Sequence, residues 1–435
     1  MNPLAQELNN ILEKGNSDFL GSLAEFGRNI FFPKGILTQS AEAKAKAHRF
    51  NATIGTAKDK GQAMHLPSIM NQFSGLTPDE ILNYAPSYGF PALRKAWSEE
   101  MVRKNPGLTG KRMSLPVVTA GLTHGLSVAA DMFIDPGDVI LMPDKLWGNY
   151  RLLFELRKGA TISTFPFYND KGGFNIDAYK QALKEAEGSS KIVTLLNFPN
   201  NPTGYTPTFS EMKEIGDLLI SIAESGQPVV VFCDDAYFGL FYEDDTAAES
   251  IFSLLADSSP KLTAVKLDGA TKEDFVWGFR VGFITVSTRV NQGQEDSFFE
   301  AIEKKLGGTV RSNISNAPAP SQSVLLHAMG NSSFEDEKNE RRQILKDRAL
   351  EVKNVLSDKK YADYFTAYPF NSGYFMLVKL KQGLDAEAFR KELLEKEGIG
   401  VIAIGSSDIR IAFSSVEKDD IHDLFDAMLR CASNM

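Results

Sequence analysis

Short apolar runs alternate with helical patterns between about residue 115 and residue 290, and this alternation constrains the fold more than any other feature. Runs of this length between helices are typical of strands that are buried on both faces of a mainly parallel sheet. We therefore predict an α/β domain with a seven-stranded, mainly parallel sheet sandwiched by helices. The predicted strands are Pro116–Thr119, Asp138–Met142, Thr161–Pro166, Lys191–Asn197, Pro228–Asp234, Lys261–Leu267 and Val281–Val286.

The two ends of the chain have a different pattern. Residues 1–59 begin with helical periodicity, and we expect them to form an N-terminal arm and part of a small domain. Residues 60–330 would form the large domain and residues 331–435 a smaller α+β domain, with the boundary at the turn Asn331–Ser333. The elements predicted for the last segment are a charged helix at Phe334–Lys353, a strand at Tyr374–Lys379, a helix at Ala386–Glu397, a strand at Ile409–Ser414 and a helix at Glu417–Met428.

Composition excludes several classes of protein. The formal net charge of -9 argues against a nucleic-acid partner, because such proteins need a basic face. Two cysteines, Cys233 and Cys431, are too few for a disulfide framework, and the first residues lack the pattern of a signal peptide. No apolar run reaches the length of a membrane span. We expect a cytoplasmic protein without a membrane partner, and we predict no metal site.

Polar side chains follow the predicted strands at the edge where ligands of such sheets bind. Asp234 ends the fifth strand, and a carboxylate there is costly unless it is paired. Lys272 follows the sixth strand, where it is either a solvated loop residue or a nucleophile that bonds to an aldehyde. Arg280 is either half of an ion pair or a bidentate phosphate ligand. Asn201 and Tyr237 add hydrogen-bond donors, although a rigid loop and core packing are their ordinary roles.

Together these five residues supply what pyridoxal 5'-phosphate requires, which is an amine, an acid for the ring nitrogen, donors for the phenolate oxygen and a phosphate ligand. Gly121, Leu122 and Thr123 open a helix after the first strand, where backbone N–H groups can bind an anion. Trp147 is suited either to stacking on a heterocycle or to ordinary packing. Arg410 and Arg311 each need a partner, and a substrate carboxylate and an internal acid serve equally.

The segments Asn201-Pro-Thr-Gly204 and Asp234-Asp-Ala-Tyr237, with the spacing from Lys272 to Arg280, resemble the class I aminotransferases of pyridoxal-phosphate fold type I. Within that family the aspartate and aromatic amino acid subgroup is the most similar. The resemblance implies catalytic roles for Lys272, Asp234 and Tyr237. Three positions depart from the pattern. Gly269 replaces a phosphate-binding serine of many relatives, and Tyr150 and Asn200 stand where the aspartate enzymes often carry histidines.

The resemblance also implies the remaining site residues. Tyr84 would reach the cofactor phosphate of a neighbouring subunit, Trp147 would stack on the ring, and Arg410 would bind the substrate α-carboxylate. Gly55 would lie in the substrate-side loop, and Asn201 and Trp147 would also contact substrate. Arg311 would offer a cation to a distal carboxylate across the interface of a homodimer.

The implied function is ping-pong transfer of an amino group from an α-amino acid, of aspartate/glutamate or aromatic type, to a 2-oxo acid such as 2-oxoglutarate. Another fold type I activity, a β-lyase or a decarboxylase, would use the same cofactor residues. A non-catalytic regulator that binds pyridoxal phosphate would need a DNA-binding module, and the residues before the large domain show no basic patch. A structural protein without a cofactor is the remaining alternative.

Overall fold

The computed structural model describes residues 1–33 and 35–435. The α-helices of the described residues are α1 (Pro3–Gly15), α2 (Ser17–Ser22), α3 (Glu25–Asn29), α4 (Ile36–Lys46), α5 (Pro67–Met70), α6 (Pro78–Leu82), α7 (Pro91–Lys104), α8 (Leu122–Phe133), α9 (Ile176–Glu185), α10 (Phe209–Glu224), α11 (Ile251–Leu255), α12 (Ala270–Glu273), α13 (Glu295–Ile314), α14 (Ala319–Met329), α15 (Phe334–Leu356), α16 (Ala386–Glu397) and α17 (Ile421–Ser433).

The strands are short, and most of them follow a helix or a tight turn. They are β1 (Phe50–Asn51), β2 (Lys58–Asp59), β3 (Gln62–Ala63), β4 (Val117–Thr119), β5 (Val139–Pro143), β6 (Thr161–Phe165), β7 (Ile192–Asn197), β8 (Val229–Asp234), β9 (Leu262–Asp268), β10 (Gly282–Ser287), β11 (Phe365–Ala367), β12 (Met376–Leu380), β13 (Ile399–Gly400), β14 (Ile402–Ile404) and β15 (Asp408–Ile411).

The central sheet confirms the predicted α/β architecture. It has seven strands in the order β4-β10-β9-β8-β7-β5-β6, and each of them overlaps one of the predicted strands. The five strands from β9 to β6 run parallel, whereas β10 is antiparallel to both β4 and β9. The carboxyl ends of β7, β8 and β9 therefore lie side by side at one edge of the sheet, and this arrangement positions the site.

Apolar side chains cover both faces of this sheet, which explains why its strands carry continuous apolar runs. In β8, Val229, Val231 and Cys233 pack against α9, α10 and α11 on one face. Val230 and Phe232 alternate with them and pack on the other face, where α8 and α13 contribute side chains. Every residue of β7 and β8 is buried, so the polar residues at their ends are held by a rigid core.

The C-terminal part forms a four-stranded antiparallel sheet in the order β11-β12-β15-β14. The N-terminal segment joins it, because β1 pairs in parallel with β13. Several predicted boundaries in this part are wrong, among them the start of the strand predicted at Tyr374–Lys379, which begins at Met376. The strand predicted at Ile409–Ser414 ends at Ile411, since Phe413–Ser415 turns into a 3-10 helix, and the helix predicted at Glu417–Met428 begins at Ile421 after a second 3-10 turn. The division into domains stays a proposal.

Helix α15 has a buried face that its charged sequence conceals. Leu345, Ala349 and Val352 are buried, and so is Arg348, whose guanidinium donates to two backbone carbonyls. Among the described residues no helix is both long and apolar enough to cross a membrane. The same residues contain no cluster of three or more histidine, cysteine and acidic side chains placed to hold a metal ion.

Candidate active site

A cavity opens at the carboxyl edge of the central sheet, where β7, β8 and the segment after β9 end. Asn197 and Asp234 are paired residues of adjacent strands, so their side chains leave the sheet at the same level. Lys272 follows β9 in the one-turn helix α12. The residues that line the cavity are Leu122, Thr123, Trp147, Tyr150, Asn197, Asn201, Asp234, Ala236, Tyr237, Thr271, Lys272 and Arg280.

Asp234 is a buried carboxylate held by two donors. Its Oδ2 accepts a hydrogen bond from the Tyr150 hydroxyl at 2.5 Å, and its Oδ1 accepts from the backbone N–H of Ala236 at 3.1 Å. Burial raises the pKa of Asp234 to about 6, and the two hydrogen bonds oppose that rise. The carboxyl therefore ionises below neutral pH and can pair with a cationic ring nitrogen.

Lys272 has the environment of a nucleophilic amine. Burial is the main cause that lowers its pKa to about 8, Asp234 opposes the shift, and the nearby Arg280 adds to it. The Nζ atom lies 5.1 Å from the centre of the Tyr237 ring, and the Lys272 carbonyl accepts a hydrogen bond from Tyr374 at 2.8 Å. A lysine that loses its proton this readily attacks an aldehyde at neutral pH.

The start of helix α8 lies close to Arg280. Gly121 has φ +78°, and a Cβ atom there would lie 2.5 Å from Nη2 of Arg280, so only glycine allows this approach. Leu122 and Thr123 begin the helix and line the cavity, and the first backbone N–H groups of a helix have no partner within it. The hydroxyl of Thr271 is buried and has no hydrogen-bond partner among the described residues. These donors fit the phosphate of the predicted cofactor.

The structure gives a physical reason for Gly269. A Cβ atom at this position would lie 2.7 Å from the Val281 carbonyl oxygen and 2.8 Å from Cα of Gly282. A serine therefore has no room where many relatives carry one. Thr271, two positions later, presents a hydroxyl in the cavity instead. Thr271 was not predicted from the sequence as a site residue. Its position directly before Lys272 was the signal that could have identified it.

Arg410 is a buried cation without an acidic partner. It lies on β15 and is 3% exposed, and burial lowers its pKa to about 10. Nη1 donates to Asn201 Oδ1 at 3.2 Å and Nη2 donates to the Thr53 carbonyl at 3.0 Å, while Nε has no partner. In the described ranges 1–33 and 35–435 no carboxylate forms an ion pair with it. Of the two partners that the sequence left open, an internal acid is not found among the described residues, and the substrate carboxylate stays a prediction.

Tyr237, Trp147 and Gly55 lie around the same space. Burial raises the pKa of Tyr237, so its hydroxyl stays protonated and can donate. The Trp147 ring packs edge-on against Tyr150 with centroids 5.4 Å apart. Gly55 allows close packing, since a Cβ there would lie 3.3 Å from the Phe375 ring.

Two predicted residues lie outside the cavity of a single chain. Tyr84 is 90% exposed, and Arg311 is an exposed residue of α13 whose Nη1 donates to the Ser315 hydroxyl at 3.1 Å. Both are expected to act in the site of a second subunit, and that role stays a prediction. Asn200, by contrast, is built into its loop, because it donates to the Lys145 carbonyl and accepts from Thr203.

Comparisons with known proteins agree with this geometry. Residues 50–428 match the family model described as aminotransferase class I and II. The chain is 24% identical over 379 residues to the aspartate aminotransferase of Escherichia coli, and the match covers 85% of this chain and 90% of that protein. It is 24% identical over 345 residues to a probable N-acetyl-LL-diaminopimelate aminotransferase of Bacillus subtilis, and the match covers 77% of this chain and 78% of that protein. An aminotransferase structure from Anaerococcus prevotii superposes with a TM-score of 0.82 at 26% identity and covers 94% of this chain and 99% of that one.

Proposed function

This chain belongs to the class I and II aminotransferases and depends on pyridoxal 5'-phosphate, and we propose that it transfers the amino group of a dicarboxylic or aromatic α-amino acid to a 2-oxo acid such as 2-oxoglutarate. The observation that carries this proposal is Arg410, a buried cation beside the cavity of Lys272 and Asp234 that has no carboxylate partner among the described residues. Such a cation matches the α-carboxylate that amino acids and 2-oxo acids share.

When bound, pyridoxal phosphate withdraws electrons from the substrate α-carbon and so stabilises the negative charge left by proton loss. The Asp234 carboxylate would keep the ring nitrogen protonated, because its own pKa of about 6 leaves it ionised at neutral pH. The Lys272 amine would take the proton from the substrate α-carbon as a general base, a task suited to its pKa of about 8.

The groups around Arg410 would orient the substrate. Thr53 and Asn201 hold two of its guanidinium nitrogens, and the Phe375 ring centroid lies 4.1 Å from Cζ of Arg410. A side chain fixed on three sides holds a bound carboxylate in one direction, which aligns the bond that must break. The Tyr237 hydroxyl and the Asn201 amide would donate to the phenolate oxygen of the cofactor.

A coupled assay tests the proposal. The purified protein with pyridoxal phosphate should form glutamate from 2-oxoglutarate when aspartate or phenylalanine is the donor. Lys272→Ala should abolish turnover while the fold, measured by circular dichroism, persists. Ammonia or carbon dioxide released without glutamate would instead indicate a β-lyase or a decarboxylase.

We also infer a homodimer with shared active sites. Tyr84 and its neighbour Leu82 are 90% and 81% exposed, and apolar side chains of the N-terminal arm, including Phe19 and Phe26, are exposed as well. Exposed apolar surface of this extent is typical of an interface. Light scattering should give twice the chain mass of 48.0 kDa, and a monomer would exclude shared sites.

Arg311 is the proposed ligand for a distal carboxylate in the second subunit. We expect Arg311→Ala to lower turnover of aspartate far more than turnover of phenylalanine. Equal losses with both donors would remove Arg311 from substrate recognition. The two free cysteines are buried, which is compatible with the cytoplasmic location we infer.

A further inference from the structure

The cavity widens beyond Lys272 toward the small domain, and this outer part has an apolar wall. Its apolar side chains come from separate segments of the chain: Ile36 of α4, Ile54 of the loop after β1, Leu152 of a π-helical turn and Ile404 of β14. Each of them is partly exposed, although apolar side chains of this kind are usually buried. The wall therefore offers unfilled apolar surface to whatever enters.

The charges in this part of the cavity are few, and each has a proposed role. Among the described residues 1–33 and 35–435, the charged side chains that line it are those of Lys272, Arg280 and Arg410. They serve as the amine, the phosphate ligand and the α-carboxylate ligand. No aspartate or glutamate of the described residues lines it. A charged group at the far end of a substrate would consequently find no oppositely charged partner among the described residues that line the outer part, apart from these three cations.

The wall is held in place by hydrogen bonds. Gln39 of α4 accepts from the backbone N–H of Ala403 at 2.8 Å and donates to the carbonyl of the same residue at 3.3 Å. This pair fixes α4, which carries Ile36, against β14, which carries Ile404. A fixed apolar wall favours substrates with apolar side chains, because the wall cannot rearrange to solvate a charged group.

We propose that the preferred amino donor carries a large apolar side chain, aromatic or branched aliphatic, which packs against Ile36, Ile54, Leu152 and Ile404. This inference rests on the proposed aminotransferase function. Burial of such a side chain removes apolar surface from water on both partners, whereas a carboxylate or an ammonium group would lose its hydration without gaining an ion pair from the described residues of this wall. Leu152 and Ile404 are accordingly specificity-determining residues.

The first half-reaction tests this directly. The protein loaded with pyridoxal phosphate is mixed in single turnover with phenylalanine, leucine, aspartate or lysine, and the loss of the cofactor's visible band is followed. In this step the amino nitrogen stays on the cofactor and the 2-oxo acid is released. We expect phenylalanine and leucine to react at least about 10-fold more efficiently than aspartate or lysine.

A charge placed in the wall provides the matched comparison. Leu152→Arg should slow the reaction of phenylalanine and accelerate that of aspartate. Leu350→Arg makes the same change at a half-exposed leucine of α15 outside the cavity and should alter neither of these two reactions.

If Leu152→Arg does not fold, the ranking of the four amino donors with the unmodified protein decides alone. Aspartate or lysine reacting faster than phenylalanine would overturn the inference and leave the aminotransferase function intact, whereas no loss of the visible band with any donor would overturn the function itself.

Discussion

The Tyr150 hydroxyl donates a 2.5 Å hydrogen bond to Oδ2 of Asp234, and both side chains are buried. The sequence resemblance places Tyr150 where the aspartate enzymes often carry a histidine. The contact shows what the tyrosine does at this position, which is to donate a hydrogen bond to Asp234. A donor at this distance favours the ionised carboxylate, which offsets part of the cost of burial. The buried Asp234 carboxylate is thus held by a neutral phenol.

We expect Tyr150→Phe to raise the pKa of Asp234 above its value of about 6, because the change removes a hydrogen bond that stabilises the carboxylate. The acidic limb of the profile of kcat/KM against pH should therefore move to higher pH. Tyr179→Phe is the control, since it removes a buried hydroxyl bonded to Thr194, away from the cavity. An acidic limb that stays in place or moves to lower pH would contradict the role of Tyr150.

Lys272 should bind the cofactor at a rate that reports its lowered pKa. Only the neutral amine attacks an aldehyde, so the rate at which the cofactor-free protein acquires its visible band should rise with pH. Its midpoint should lie near pH 8, the pKa that burial imposes, rather than near the ordinary value of 10.5. Stopped-flow absorbance measures this rate, and a midpoint near 10.5 would show that the amine is solvated.

Gly269→Ser should not restore the phosphate ligand of the relatives. The added Cβ would meet the Val281 carbonyl oxygen and Cα of Gly282, both backbone atoms that cannot rotate away. We expect a loss of about 1–3 kcal/mol in the free energy of unfolding, measured with urea, together with weaker cofactor binding.

Gly278→Ser is the control for this substitution, because a Cβ atom at Gly278 meets nothing within 4 Å. It should leave stability and cofactor affinity unchanged. If Gly269→Ser were as stable as the unmodified protein and bound the cofactor more tightly, the crowding at this position would not be the reason for glycine.

Arg410→Lys should raise KM for every amino donor. Lysine keeps the charge but loses the planar pair of donors, and two hydrogen bonds to a charged group contribute about 3 kcal/mol, or about 100-fold in affinity. Arg390→Lys alters another buried arginine, which pairs with Glu387 and Glu42 outside the cavity, and should change KM little. Similar KM values for both variants would mean that Arg410 does not bind the carboxylate.

Much of the fold was predictable because the inner strands of the central sheet are buried on both faces and are therefore mostly apolar, whereas β6 at one end of the sheet is partly exposed. The positions of Asp234 and Lys272 followed from the same pattern, since the carboxyl ends of neighbouring parallel strands meet. The contact between Tyr150 and Asp234 was not predictable, because it joins residues 84 positions apart through a π-helical turn that has no sequence signature.

The buried charges of α15 escaped prediction for a similar reason. Lys338 looks like a solvated residue of a charged helix, yet it is 2% exposed and pairs with Asp274 at 3.0 Å. Only the folded chain brings the start of this helix against the segment that follows Lys272. Likewise the sequence left the partner of Arg410 open, and only the packing of β15 against the Thr53 loop shows that no acid of the described residues forms an ion pair with it.

The central claim is that Lys272 carries the cofactor. Reduction of the loaded protein with borohydride makes the bond between a lysine and pyridoxal phosphate permanent, and peptide mapping by mass spectrometry then locates it. We predict that the modified peptide contains Lys272 and that Lys272→Ala yields no modified peptide. A cofactor attached to another lysine, or to none, would contradict the account.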